Sequence, residues 1–243
     1  MHRVVFVRHG ESEYNVMKKC AGWLDCRLTP NGVMQARSAG QMLRSRGYGF
    51  DVVFSSVLVR AVDTRCLLLD EMGLSGIDTQ QSWKLNERHY GGLDDLTREE
   101  AELKYGQETL RLCREDFEYR PPLSTRKHVA CFGGGPADDT YPNSESMNDA
   151  AARCLDYWQN VIVPVVSSGK RAIVVAHGEI LRLLTGHLLE ASEEEIVHTP
   201  VLPNATPFVF HFRDDFSVSA HYLLADSTEL TPAVAAPVDA IVG

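Results

Sequence analysis

Two short apolar segments of the chain each run directly into a histidine–glycine pair. Residues 4–7 are followed by Arg8-His9-Gly10, and residues 171–176 are followed by His177-Gly178. A continuous apolar run of this length is typical of a strand buried on both faces of a parallel sheet. Ligands of such sheets bind at the carboxyl ends of the strands, so we expect both histidines at one functional edge.

Helical patterns separate the predicted strands, which indicates an α/β fold. Thr29-Pro30 has the residue types of a helix start, and Gly47 those of a helix stop. The patterns predict further helices over 57–72, 97–106, 107–118, 145–163, 180–189 and from 192, and further strands over 51–54, 79–83, 208–212 and 218–224. This alternation predicts a three-layer α/β/α domain with a mostly parallel central sheet. A single domain over 1–243 is expected, with a long loop at 120–144. The tail at 231–243 shows neither the helical nor the strand period of apolar residues.

Composition limits the partners of the chain. Its 243 residues include 24 Lys and Arg against 33 Asp and Glu, a net charge of −9, which argues against nucleic acid or an anionic membrane as the main partner. No apolar run approaches the ~18 residues of a membrane span, and no secretory leader is recognisable, so we predict a cytoplasmic protein. The six cysteines form no CxxC pair and no zinc spacing, and no metal is expected.

Four polar motifs follow or connect the predicted elements. They are centred on Arg8-His9-Gly10, on Arg60, on His177-Gly178 and on Glu87 within residues 85–91. Taken singly, each has an ordinary structural explanation: a hydrogen-bonded strand-end histidine, a solvated arginine or a surface carboxylate. Taken together, they combine a potential imidazole nucleophile with guanidinium groups, whose planar donors match phosphate oxygens.

These motifs, in this order, resemble the histidine phosphatase superfamily and, within it, the cofactor-dependent phosphoglycerate mutases. The resemblance extends over roughly residues 3–225 and is most specific at residues 85–91. It implies that His9 is the nucleophile that carries the phosphoryl group. It also implies that Arg8, Arg60 and His177 clamp the phosphoryl oxygens without a metal, and that Glu87 is the general acid and base.

The resemblance further implies a substrate shell, a cofactor and partners. The expected substrate-binding residues are Ser12, Asn15, Ala21, Gly22, Arg88, Tyr90, Arg98, Arg114 and Gly178. A mutase would need 2,3-bisphosphoglycerate as a phosphoryl primer. The expected ligand is a small anionic phosphorylated metabolite, and the expected assembly is a homodimer or a tetramer.

The chain departs from the mutase pattern in the substrate shell. Glu115 stands where mutases carry a second arginine, and Glu179 stands where they carry an asparagine. Arg98 replaces a lysine, and Ala21 stands where a hydroxyl residue is frequent. A carboxylate at residue 115 is expected to repel a distal anionic group by about 1–4 kcal/mol at surface-like dielectric.

Three functions are compatible with these residues. The first is a mutase that interconverts 3- and 2-phosphoglycerate through phosphohistidine in glycolysis and gluconeogenesis, which the length of the match favours. The second is a metal-independent phosphatase that hydrolyses a small phosphomonoester, which Glu115 and Glu179 favour. The third is a non-catalytic binding protein, against which the joint presence of the predicted catalytic residues argues.

Overall fold

The computed structural model describes residues 1–125 and 141–224. Its strands are β1 (His2–Arg8), β2 (Val52–Ser55), β3 (Asp78–Gln81), β4 (Ala172–Ala176), β5 (Pro207–Phe212) and β6 (Val218–Leu223). Its α-helices are α1 (Glu13–Met17), α2 (Pro30–Ser45), α3 (Val59–Met72), α4 (Arg98–Tyr105), α5 (Gln107–Glu115), α6 (Met147–Tyr157), α7 (Val163–Ser167), α8 (Gly178–Leu188) and α9 (Glu193–His198). Most of the predicted 120–144 loop and all of the predicted 231–243 tail lie outside the described residues.

The strands form one six-stranded sheet in the order β3-β2-β4-β1-β5-β6. The pairs β3–β2, β2–β4 and β4–β1 are parallel, whereas β5 and β6 are antiparallel to their neighbours. In this register Arg8 lies opposite Ala176, so that β1 and β4 end side by side. The predicted mostly parallel sheet is therefore confirmed, and the two histidine–glycine pairs share one edge of it.

Alternate residues of the central strands face two different apolar cores. Val4 and Phe6 pack in a core with residues of α6 and α8. Val5 and Val7 face the opposite side and pack with residues of α2 and α3. Because both faces of the sheet are covered by helices, the predicted three-layer architecture is confirmed.

Helix boundaries otherwise lie within three residues of the predicted ones, and two helical features differ from the predictions. The Thr97–Glu100 and Ser192–Glu195 capping boxes are present, and Gly73 ends α3 in the left-handed conformation. The predicted 145–163 helix begins at Met147 and continues through a π-helical turn (Trp158–Ile162) into α7. The wider turn ends two residues before Pro164, whose missing N–H cannot complete a regular α-helical ladder. The five-residue α1 was not predicted, because it is too short to produce a helical period.

Candidate active site

His9 directly follows β1 at the carboxyl edge of the sheet. Its backbone N–H donates to the Ala176 carbonyl at 3.0 Å, which continues the β1–β4 ladder by one residue. Its Nδ1 lies 2.7 Å from the Gly10 carbonyl oxygen. A carbonyl only accepts, so Nδ1 carries the proton and Nε2 keeps a free lone pair for nucleophilic attack. Burial lowers the pKa of His9 well below its ordinary value, and Arg60 and Arg8 add to this effect, so the imidazole is neutral near pH 7.

Gly10 allows the turn after His9 to pack against the start of α2. A Cβ at this position would lie 2.5 Å from the Gly32 carbonyl oxygen, which no side chain could tolerate. The Gly10 N–H donates to Oγ1 of Thr64 at 2.9 Å, and this hydroxyl donates in turn to the Arg60 carbonyl at 2.7 Å. The nucleophile segment is thereby tied to α3, the helix that carries Arg60.

The guanidinium groups of Arg60 and Arg8 are each anchored on backbone carbonyls. Arg60 is 1% exposed and donates from Nη2 to Gly22 at 2.8 Å and from Nη1 to Leu24 at 2.9 Å. Arg8 donates from Nη1 to Leu202 at 3.0 Å. The Nε atoms of both arginines are buried and have no hydrogen-bond partner among the described residues. Buried guanidinium N–H groups without a protein acceptor are suited to a phosphoryl group.

Gly22 and Gly178 permit the close approaches around these arginines. Gly22 has a φ of +47°, and a Cβ there would lie 2.1 Å from Oδ1 of Asp94. A Cβ on Gly178 would lie 3.2 Å from Nε of Arg8, tighter than an ordinary contact. Both predicted substrate-binding glycines therefore lie beside the arginines of the site.

His177 immediately precedes α8, and its ring lies near that of His9, with 5.2 Å between the ring centroids. Its Nε2 lies 2.7 Å from Oγ of Ser56, and its Nδ1 has no partner among the described residues. Burial, with added effects of Arg60 and His9, lowers the pKa of His177 well below its ordinary value. A bound phosphate dianion would oppose this shift by favouring the protonated ring.

Glu87 lies in the segment between β3 and α4 and is 7% exposed. Its Oε1 accepts the Arg88 N–H at 2.9 Å, and its Oε2 accepts the Glu179 N–H at 3.3 Å. Burial raises the pKa of Glu87, and the charge of Glu179 raises it further. A carboxyl group of this kind is suited to general acid catalysis near neutral pH.

Two residues that hold the Glu87 segment in place, Arg153 and Glu145, were not predicted from the sequence. Arg153, on the buried face of α6, donates to the carbonyls of Lys84, Asn86 and Glu87, each at 2.9 Å. It also pairs with Glu145 at 2.6 and 2.8 Å. The sequence did contain a sign that Arg153 is buried. It lies in the apolar stripe of its helix, at the same helical spacing as the buried residues Met147, Ala150, Cys154 and Tyr157.

Arg88, predicted to bind substrate, has a different environment from the other arginines. It is fully buried, and its three guanidinium nitrogens Nε, Nη1 and Nη2 donate to the carbonyls of Glu145, Cys113 and Tyr119 at 2.8–3.2 Å. These contacts connect the Glu87 segment to α5 and to the start of α6. They assign Arg88 a structural role in place of the predicted one, because its guanidinium is already occupied by backbone acceptors.

Four of the other predicted substrate-binding residues lie in the loops and the short helix around the site. Ser12 and Asn15 form the capping box of α1, and Ala21 accepts the Leu24 N–H in the turn that also holds Arg60. Tyr90 is buried, and its hydroxyl has no partner among the described residues. Burial raises the pKa of this phenol, and Glu87 and Glu179 raise it further, which places the ring near both carboxyl groups.

Arg98 and Arg114 line a depression of about 610 Å³ between α4 and α5. Leu110 lines the same depression and also belongs to the apolar cluster that contains Tyr90. Glu115 accepts from Arg114 at 2.6 Å and from Arg111 at 3.0 Å. The depression thus has three arginines and three glutamates, and its cations are largely paired. Its lining is Arg98, Glu102, Gln107, Glu108, Leu110, Arg111, Arg114 and Glu115.

The site therefore combines a neutral imidazole with a free Nε2 lone pair, two anchored guanidinium groups, a second histidine and a protonatable carboxyl group. Such a set is suited to phosphoryl transfer through a histidine. Residues 4–222 match the model of the histidine phosphatase superfamily (branch 1), and the chain belongs to that superfamily.

Several solved structures are similar over nearly the whole chain. A mycobacterial glucosyl-3-phosphoglycerate phosphatase in complex with VO3 is 25% identical, with a TM-score of 0.70, over 92% of this chain and 97% of that one. A protein described as mycobacterial hydrolase 1 is 26% identical, with a TM-score of 0.68, over 91% and 96% of the two chains. The alpha-ribazole phosphatase from Shigella flexneri is 19% identical, with a TM-score of 0.71, over 95% and 100%, which shows a shared fold.

Membrane-spanning helices and metal-ligand clusters are both absent from the described residues. Within residues 1–125 and 141–224, none of the helices is long and apolar enough to cross a membrane. Among the same residues, His, Cys, Asp and Glu side chains do not gather into groups of three or more that could hold a metal ion. The expectation of metal-free catalysis stays a prediction.

Proposed function

We propose that this protein is a phosphatase that hydrolyses a small phosphomonoester through a phosphohistidine at His9. The observation that carries the proposal is the pairing of Glu115 with both Arg111 and Arg114. Mutases of the family use a cation pair in this region to hold the distal anionic group of their substrate. Here a carboxylate occupies both guanidinium groups, which favours a leaving group without a second anion. The 25%-identical neighbour is a phosphatase, which supports hydrolysis over mutase chemistry.

In the first step Nε2 of His9 attacks phosphorus while the ester P–O bond breaks. The proposed clamp consists of Arg8, Arg60 and His177, whose positive charge would balance the phosphoryl oxygens in place of a metal. Glu87 would give its proton to the leaving oxygen, so that an alcohol departs and not an alkoxide. The buried position of Glu87 and its raised pKa support its presence as the acid.

In the second step a water molecule attacks the phosphohistidine and the P–N bond breaks. Glu87, now ionised, takes a proton from the water and returns to its starting state. His9 regains its lone pair on Nε2, and inorganic phosphate leaves. This cycle needs neither a metal nor a primer, and a small phosphorylated metabolite is its proposed partner.

A mutase remains the second candidate, because the match of residues 85–91 is the most specific part of the resemblance to mutases. The two reactions share the first step and differ in the acceptor of the phosphoryl group, which is water or a second hydroxyl of the substrate. The 2,3-bisphosphoglycerate primer belongs only to the mutase proposal, and a dimer or tetramer is compatible with either.

A panel of phosphomonoesters tests the proposal directly. Phosphate release is measured with each ester, and interconversion of 3- and 2-phosphoglycerate is measured with and without 2,3-bisphosphoglycerate. We expect hydrolysis of at least one ester to exceed mutase turnover by a wide margin. The matched controls are His9→Ala, expected to be inactive, and His187→Ala, an exposed histidine on α8 whose loss leaves activity unchanged. Primer-dependent mutase turnover that exceeds all hydrolysis would overturn the proposal.

A further inference from the structure

Two carboxyl groups, Glu87 and Glu179, are buried together at the start of α8. Glu87 is 7% exposed and Glu179 is 1% exposed. The Glu179 backbone N–H donates to Oε2 of Glu87 at 3.3 Å. Burial makes ionisation of Glu87 costly, and the nearby charge of Glu179 opposes it further.

Arg182 holds Glu179 in one charged arrangement. Its Nη2 lies 2.7 Å from both Oε1 and Oε2 of Glu179, one helical turn earlier on α8. Its Nη1 donates to the Val197 carbonyl at 3.2 Å, which anchors the guanidinium on α9. Glu179 therefore has its own counter-ion next to Glu87.

Building on the proposed hydrolysis, we propose that the Glu179–Arg182 pair is a positioning element that keeps Glu87 protonated until the leaving group takes the proton. As the Nε2–P bond of His9 forms and the ester P–O bond breaks, this proton moves from Glu87 to the leaving oxygen. Glu87 then takes a proton from the attacking water as the P–N bond breaks. The pair itself neither gains nor loses a proton in the cycle.

Several groups around Glu87 favour its ionised form. A nearby negative charge is therefore needed to keep this carboxyl group protonated. Its oxygens accept two backbone N–H groups, one of them at the start of α8, and Arg60 is near. Burial and the Glu179 charge act in the opposite direction and raise the pKa of Glu87. The charged and titratable groups around it are Glu179 and Arg182 on α8, Arg60 on α3, Arg8 on β1, Arg153 on α6, Tyr90 in the same segment and Cys20.

Two substitutions make the inference testable, because they shift the proton affinity of Glu87 in opposite directions. Glu179→Gln removes the charge but keeps the backbone N–H, so Glu87 should lose its proton about one pH unit lower than in the wild type. Arg182→Gln leaves the Glu179 charge uncompensated, so Glu87 should lose its proton at higher pH. Arg182→Lys is the conservative control: it retains a cation beside Glu179, so Glu87 should lose its proton near the wild-type pH. If the glutamine variant does not fold, the Glu179→Gln titration alone decides the inference.

The primary measurement is a pH titration of side-chain carboxyl carbons by NMR in protein labelled with 13C-glutamate. The Glu87 resonance is assigned by its absence in Glu87→Gln. Glu193→Gln, an exposed residue on α9, is the matched control and should leave the titration unchanged. Opposite shifts in the Glu179 and Arg182 variants support the inference. An unchanged titration in Glu179→Gln, or shifts of the same sign in both variants, would overturn it.

Kinetics separate this inference from the proposed function. With an alkyl phosphate, whose leaving group needs a proton, Glu179→Gln should lower kcat/KM about tenfold near neutral pH. With p-nitrophenyl phosphate, whose leaving group departs without one, the same variant should stay within about twofold of the wild type. Equal losses with both esters would contradict the role in proton donation. If no ester is hydrolysed at all, the proposed function fails, whereas the titration still decides the effect of the pair on Glu87.

Discussion

The hydroxyl of Ser56 determines which nitrogen of His177 faces the site. Ser56 Oγ lies 2.8 Å from Oδ1 of Asn86, which only accepts, so the hydroxyl hydrogen points there. The same oxygen accepts the Leu58 N–H at 3.1 Å and lies 2.7 Å from Nε2 of His177. It can therefore accept the Nε2 hydrogen of His177, and Nδ1 is left available for the proposed phosphoryl group.

Replacement of Ser56 by alanine should impair catalysis more than stability. The variant leaves the Nε2 hydrogen of His177 without its acceptor, so the ring loses its fixed orientation, and we expect kcat to fall roughly tenfold. Ser55→Ala is the matched control, because Ser55 is equally buried but contacts Arg65 and the Ser56 carbonyl, not His177. Steady-state kinetics and thermal unfolding of both variants check this; equal losses of kcat would show that the orientation of His177 is not the cause.

Phosphate binding should be accompanied by proton uptake at His177. The free ring is neutral because burial, Arg60 and His9 lower its pKa, yet Nδ1 needs a proton to donate to a phosphate oxygen. The charge of a phosphate dianion raises that pKa again, so the complex binds a proton that the free protein does not. Calorimetry at about pH 8 in buffers of different ionisation enthalpy measures this uptake. His177→Gln should abolish it and His187→Gln should not; uptake that persists without His177 would place the proton elsewhere.

Loss of Arg153 should destabilise the whole Glu87 segment. Arg153→Met removes donors to three backbone carbonyls and leaves the buried Glu145 carboxylate without its cation. The expected fall in the free energy of unfolding is about 3–5 kcal/mol, measured by denaturant titration. Arg120→Met is the matched control, since Arg120 pairs with Asp149 on the surface and should cost below about 1 kcal/mol. A cost for Arg153→Met as small as that of the control would contradict the positioning role.

Glu115→Arg should extend the specificity toward doubly anionic esters. The substitution removes the partner of Arg111 and Arg114 and adds a third cation to the depression between α4 and α5. For 3-phosphoglycerate we expect KM to fall about tenfold, while kcat for p-nitrophenyl phosphate stays within about twofold. Glu99→Arg, exposed on α4 outside the lining of the depression, controls for net charge. The same fall in KM with Glu99→Arg would mean that the effect is only the overall charge.

Local patterns in the sequence were sufficient to predict the catalytic edge of the sheet. Buried apolar strands that end in His9 and His177 predict that the two residues meet, because parallel strands of one sheet end at the same edge. Capping residues such as Thr97 predict helix starts correctly, because the cap contacts lie within three residues. The net charge of −9 was a poor guide to the site, where Arg8 and Arg60 outweigh the distant surface carboxylates.

The contacts that were not predicted are mainly of two kinds: contacts between residues far apart in the chain, and salt bridges within a helix. Arg153 donates to carbonyls that lie 66–69 residues away in the chain. The helical period of the sequence indicates that Arg153 is buried, but it does not identify these distant partners. Glu115 was expected to repel a distal anionic group, and Glu179 was noted only as a departure from the mutase asparagine, because each was considered without its partner. The spacing to Arg111 (i, i+4) and to Arg182 (i, i+3) on the same helices was the available signal that each carboxylate pairs with an arginine.

Trapping of the phosphoenzyme tests the central claim most directly. The protein is mixed with a 32P-labelled phosphomonoester that it hydrolyses, quenched in alkali and digested, and the labelled peptide is sequenced. The account predicts an acid-labile, alkali-stable label on His9 in the wild type, no label in His9→Ala and normal labelling in His187→Ala. A label on any other residue, or hydrolysis that persists in His9→Ala, would contradict the account.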